Sequence, residues 1–200
     1  MSTRMQVRHP VARVVAALAL LSITLAWLTG CGNHDLVLRV DLLSFTPELQ
    51  TPFVIPAVPA APGGLATGEQ ALVADQDVNL VDGLGDAVVL KDASLRLRTV
   101  ATGTTGSGTD TVRVYLSDAN TAPRTTPPVL TQVLTFTAGV SDTVTSQTSQ
   151  DARMTSLFAK KQLRIAVTTS GRGPSAGASL TGSLNVIALD VVVVAGRKLN

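Results

Sequence analysis

Ser94-Leu95-Arg96-Leu97-Arg98-Thr99-Val100 sets Leu95 and Leu97 against Arg96 and Arg98. A period of two sends each pair to opposite faces of a β-strand, whereas a helix would bring residues three and four apart together. Residues 111–116 repeat the pattern, with Val112, Val114 and Leu116 against Arg113 and Tyr115. Upstream, Leu36, Leu38, Val40 and Leu42 share one parity, with Arg39 and Asp41 on the other. Shorter runs at 87–91, 129–137, 140–145 and 162–168 read the same way, the last with Leu163, Ile165 and Val167 inward. Val78 and Leu80 alternate with Asn79 as an edge strand would. Residues 180–194 have mixed parity and four consecutive valines, so that strand is buried on both faces or shifted by a bulge. One helical signal stands among these strands. Over 151–161, Met154, Leu157 and Phe158 fall at i, i+3 and i+4, with Asp151 early and Lys160-Lys161 late, matching the helix dipole.

About eight short strands separated by Gly/Pro-rich turns predict an all-β fold. The expectation is one antiparallel β-sandwich over 36–200, Ig-like or jelly-roll-like, with one short helix. Residues 46–70 carry five prolines and the pair Gly63-Gly64, so they read as an extended crossing and not a central strand. Phe53, Val54, Ile55 and Val58 within it predict that the crossing lies against the sandwich. The run ATGTTGSGTD, residues 101–110, reads as a glycine-rich loop.

The chain has 200 residues, 45% hydrophobic and 15% charged, enough apolar side chain for a real core and against wholesale disorder. A single cysteine excludes a disulfide framework and a Cys-based zinc site. The net charge of +2 comes from Arg4, Arg8 and Arg13 in the first thirty residues. Without them the remainder is slightly acidic, and charge offers no case for nucleic acid.

Residues 1–30 read as a targeting segment. A basic start precedes a 15-residue apolar run, VVAALALLSITLAWL, that spans about 22 Å as a helix. Crossing a bilayer takes roughly 20 residues, so this is the h-region of a signal peptide, an N-terminal signal helix removed on processing. The run ends in Leu28-Thr29-Gly30-Cys31, which resembles the lipobox of bacterial lipoproteins. The resemblance covers only the first 31 residues. It implies cleavage between Gly30 and Cys31 and a diacylglycerol thioether on Cys31, palmitate-type acyl chains then holding the protein on the membrane. Gly32 stands where an aspartate would favour inner-membrane retention, which implies the outer membrane in a diderm cell. Residues 31–35 form the tether. Only four of them separate Cys31 from Leu36, about 14 Å at full extension, which predicts a domain apposed to its membrane.

Chemistry-bearing motifs are few. Gly173-Pro174-Ser175-Ala176-Gly177 matches G-x-S-x-G, but strand pattern follows it and His34, the one histidine after the signal, lies far upstream. A loop in a hairpin accounts for these glycines better. Asp75, Asp77, Asn79 and Asp86 occupy EF-hand-like positions, with Asp82 between, yet Leu80 stands where glycine is required. Turn carboxylates in solvent are the simpler reading. After Trp27 only Phe45, Phe53, Tyr115, Phe136 and Phe158 are aromatic, a poor sugar-stacking platform. If 94–100 and 111–116 pair as a hairpin, Arg96, Arg98 and Arg113 share an outer face with Tyr115. That basic contact patch would suit anionic headgroups, polysaccharide or a protein. The expectation is therefore no enzyme, no cofactor and no metal, but a structural or binding envelope subunit with the membrane and an envelope protein as partners. A sugar- or calcium-binding module is the alternative, and an Asp/Glu hydrolase stands behind it.

Overall fold

The computed structural model describes residues 35–79, 88–140, 142–160 and 162–197. The signal segment, the lipobox with Gly30 and Cys31, and Asp82 and Asp86 lie outside them. Among the described residues nine strands and one α-helix follow in order: β1 (Leu36–Asp41), β2 (Phe53–Val58), β3 (Gln70–Asn79), β4 (Val88–Thr105), β5 (Gly108–Asp118), β6 (Leu130–Phe136), β7 (Thr143–Ser149), α1 (Arg153–Phe158), β8 (Gln162–Arg172) and β9 (Leu180–Arg197).

All pairings are antiparallel and fall into two sheets. In sheet A, β9 is the spine. One edge takes β1 along Asp190–Ala195 and β2 along Leu180–Leu184, and the other takes β4, which pairs onward with β7. Sheet B runs β3-β8-β5-β6. With β1 and β2 counted as one leg, the pairs β1/β2–β9, β3–β8, β4–β7 and β5–β6 nest like a single long hairpin rolled over on itself. That nesting is a jelly roll, which decides between the two sandwich topologies.

The predicted alternation sets the core. Leu95 and Leu97 of β4 and Leu189, Val191 and Val193 of β9 face Val112, Val114, Leu163, Ile165 and Val167 of sheet B, all fully buried. Parity in β9 changes where Arg98 pairs with Ala188 but Thr99 pairs with Val186. Ile187 is the extra residue of a bulge, 40% exposed between buried Val186 and half-buried Ala188. A second shift, between Leu90 and Asp92, explains why 87–91 and 94–100 read as separate strands. They are one 18-residue strand interrupted in parity at Lys91.

Three further segments differ from the sequence reading. Residues 46–70 open on a 3₁₀ turn, Pro47–Gln50, which follows another at Leu43–Phe45, and then form β2, which buries Ile55 and Val58. Pro56 has no N–H to donate, and it falls within the register shift between Ile55 and Val58. The strand expected at 140–145 begins instead at Thr143, because Val140 closes a turn by donating its N–H to Thr137 O at 3.1 Å. The helix is confined to Arg153–Phe158. Asp151 stands just ahead of it, accepting the Arg153 N–H at 2.9 Å, while Met154 and Phe158 are buried and the helix packs on β4 and β5.

Candidate functional site

The hairpin expected to assemble the basic patch does not form. Both edges of β4 are taken by β7 and β9, and both edges of β5 by β6 and β8. The chain crosses between sheets at Gly106-Ser107, so Arg96 and Arg98 project from sheet A while Arg113 and Tyr115 project from sheet B. No common patch exists. Arg98 is exposed, Arg113 is half-buried, and Tyr115 is buried at 6% exposure.

Two separate charge clusters replace it. On sheet B, Glu69 lies just before β3, and three donors converge on its Oε1: Tyr115 Oη at 2.8 Å, Thr168 Oγ1 at 2.7 Å and Arg113 Nη1 at 3.3 Å. Arg113 also donates to Ser170 Oγ at 2.8 Å. Partial burial pushes the Glu69 carboxyl upward, but the Thr168 and Tyr115 hydrogen bonds and the Arg113 charge outweigh it and hold the group below the usual carboxylate range. Burial, then the hydrogen bond to Glu69 and its charge, push Tyr115 above the ordinary phenol range. On sheet A, Asp190 Oδ1 accepts from Arg39 Nη2 and Arg96 Nη2, each at 3.0 Å. Arg96 sits directly opposite Asp190 in the ladder, so the register itself makes this pair.

These clusters are built to hold sheets together. A general acid or base needs a pKa near its working pH, and Glu69 is displaced the other way with its Oε1 lone pairs already engaged. The sign of each shift gives a stability profile. Glu69, lowered in the fold, stabilises above the unfolded carboxylate value and loses that contribution as pH falls through its folded pKa. Tyr115, raised in the fold, stabilises below about pH 10 and loses the contribution as pH rises through its folded pKa. Thermal melts are expected to show wild type above Glu69→Gln at neutral pH, with the gap closing below about pH 3. Tyr115→Phe is expected to flatten the alkaline limb. Parallel curves across the whole range would remove the cluster from the pH response.

The remaining motif residues are placed as follows. Ser175 lies in a bend between β8 and β9, and a strand follows it, so the segment is no nucleophile elbow. Nor is it the hairpin loop expected, because β8 and β9 belong to different sheets. Asp75 and Asp77 are on β3, the edge of sheet B, with Asn79 its last residue. Arg164 Nε lies 3.2 Å from Asp77, and Arg124 Nε lies 3.5 Å from Asp75 Oδ1, an ion pair without hydrogen-bond alignment. Among the described residues no three His, Cys, Asp or Glu side chains converge on one point, and no helix is long and apolar enough to cross a membrane. A half-open cavity of ≈ 260 Å³ lies between Leu49, Phe53, Leu72, Leu184 and Val186, with Glu48 at its side.

Sequence reasoning missed Glu69 and Asp190. Asp190 carried a usable signal, a lone acid within the apolar run Ile187-Ala188-Leu189-Asp190-Val191. Glu69, at the end of the proline-rich crossing, carried none.

No family model matches the chain, and no curated protein matches it. Solved structures similar to it include that of the infectious bursal disease virus Gt strain, 13% identical, covering 92% of this chain and 43% of that chain, with a TM-score of 0.39. The infectious bursal disease virus VP2 subviral particle is also 13% identical, covering 92% of this chain and 42% of that chain, with a TM-score of 0.38. The chain spans less than half the length of either.

Proposed function

We propose that this chain is a lipid-anchored protein of the bacterial cell envelope, with a jelly-roll domain in a structural or binding role and no catalysis of its own. The observation that carries the reading is Leu28-Thr29-Gly30-Cys31 after a basic start and a 15-residue apolar run. Supporting it, the first strand opens at Leu36, five residues beyond Cys31. A domain on so short a tether works close to the bilayer, and an envelope protein beside the membrane is its partner. Two clusters of charged side chains on the outer sheet faces, Arg39–Asp190–Arg96 and Glu69–Tyr115–Arg113, are spent on one another, which suits a scaffold better than a reaction centre.

The test is metabolic labelling with palmitate in a bacterial host. Wild type is expected to incorporate label and to fractionate with membranes. Cys31→Ser is expected to lose the label completely and to accumulate as unprocessed precursor. Equal labelling of both would end the lipoprotein reading.

A further inference from the structure

Asp110 is at 1% exposure, and its side chain shares the inward parity of Val112 and Val114 on β5. Its Oδ1 is well served, accepting the Thr111 N–H at 2.7 Å and the Thr169 hydroxyl at 2.6 Å. Its Oδ2 is buried with no hydrogen-bond partner among the described residues. The other two carboxylates with an orphaned oxygen, Asp75 and Asp190, each face an arginine. Asp110 faces no cation among the described residues. A buried ionised carboxylate without a compensating charge is strongly unfavourable.

Asp110 lines a small cavity of ≈ 10 Å³. That is about the space of a single water-sized sphere. One wall is apolar, from Phe53, Ile55 and Val58 of β2. The other is polar, from Asp110, Thr67, Gln70 and Thr169. Thr169 has given its only hydroxyl proton to Asp110 Oδ1, and Thr67 has given its own to Gly171 O at 3.2 Å. Both hydroxyls therefore have only lone pairs left to offer, one of those on Thr67 being already taken by the Gly171 N–H at 2.8 Å, and Gln70 can add its amide oxygen. With the Gln70 amide turned oxygen-inward, the lining presents acceptors around one negative charge, which is chemistry for a hard cation; turned the other way, its NH2 would donate to Oδ2 and no ion would be needed.

We propose that this cavity is a binding site for a single monovalent cation of the sodium class, held by Asp110 Oδ2 with Thr67, Thr169 and Gln70. One carboxylate neutralises one positive charge, so a divalent ion would leave an excess buried charge in place of the deficit. The ion ties β2 to sheet B, because the cavity lies where β2 covers β5 and β8.

The test compares thermal melts of the full chain in about 0.2 M sodium chloride and in choline chloride at the same ionic strength, so that screening is equal. Sodium is expected to raise the Tm by about 4 °C, the size of shift a weak site gives at this concentration. Asp110→Asn is expected to abolish the shift, and Gln70→Ala, at an exposed position, to reduce it. If Asp110→Asn does not fold, ²³Na line broadening on wild type and Gln70→Ala decides: broadening that is weaker in the variant supports the site. Equal melting in both salts, or no ²³Na broadening, would mean an ordered water only. A shift produced by calcium chloride and not by sodium would overturn the monovalent assignment.

Discussion

Phe136→Ala is expected to lower the stability of the domain by about 3–5 kcal/mol, the range for removing a fully buried phenylalanine. Phe136 ends β6 in sheet B at 1% exposure, and its ring reaches across the sandwich toward Gly182 of β9 in sheet A. A Cβ built on Gly182 would come within 3.2 Å of the ring. The aromatic thus fills a hollow that a glycine leaves open, and truncation would strip both sheets of that contact. With so few aromatics in the chain, no neighbouring side chain of that size can move in. Urea denaturation measures the loss as a lower midpoint at unchanged slope. Val133→Ala, on the same strand but 58% exposed, is the control and is expected to stay within about 0.5 kcal/mol of wild type. Equal losses in the two variants would mean that Phe136 does not bridge the sheets.

How far the fold can be read from residues depends on which interactions are local. Alternation is local, so the strands around Leu95, Val112 and Leu163 were legible, as was the burial of Met154 and Phe158, while the mixed parity of the β9 region left a bulge as one of two readings. Pairing is not local. Nothing in 94–100 or 111–116 says that each strand already has two other partners, and the hairpin inferred from their closeness in sequence failed for that reason. The basic patch failed with it. The same limit hid the Glu69 cluster, whose three donors come from 44 to 99 residues away. Asp190 is an intermediate case: its isolation among apolar residues was visible, but Arg39 and Arg96 become its partners only through registers set 151 and 94 residues apart.

Glycine was the most misleading signal. Residues 101–110 read as a loop because they hold three glycines, yet only Gly106-Ser107 is a turn, and Gly106 there has φ +65°. Gly103 lies inside β4 and Gly108 opens β5. Their small size answers to a neighbouring backbone: a Cβ on Gly103 would stand 2.6 Å from Thr137 O, and one on Gly108 2.4 Å from Arg172 O. Glycine in a strand marks close approach as readily as it marks a bend.

That reasoning gives the second large effect, at the pair Gly103 and Gly182, which sit directly opposite each other between β4 and β9. On Gly182 a Cβ would fall 2.5 Å from Thr102 O, a distance real Cβ atoms do not adopt, with the Phe136 ring on its other side. The nearest obstacle is a carbonyl in a paired strand, so no rotamer change relieves it. Either β4 and β9 separate locally or the ladder tilts, and Gly182→Ala is expected to cost about 3 kcal/mol, the upper part of the range for overpacking. Gly68→Ala adds the same methyl where nothing lies within 4 Å, and it is expected to be neutral or to stabilise by a few tenths of a kcal/mol through the unfolded chain. Placing Gly182→Ala in a Phe136→Leu background separates the two obstacles. If the carbonyl dominates, the smaller aliphatic side chain gives no relief, and the double variant is less stable than either single one. A double variant as stable as Phe136→Leu alone would show that the ring, and not the β4 backbone, is what keeps position 182 a glycine.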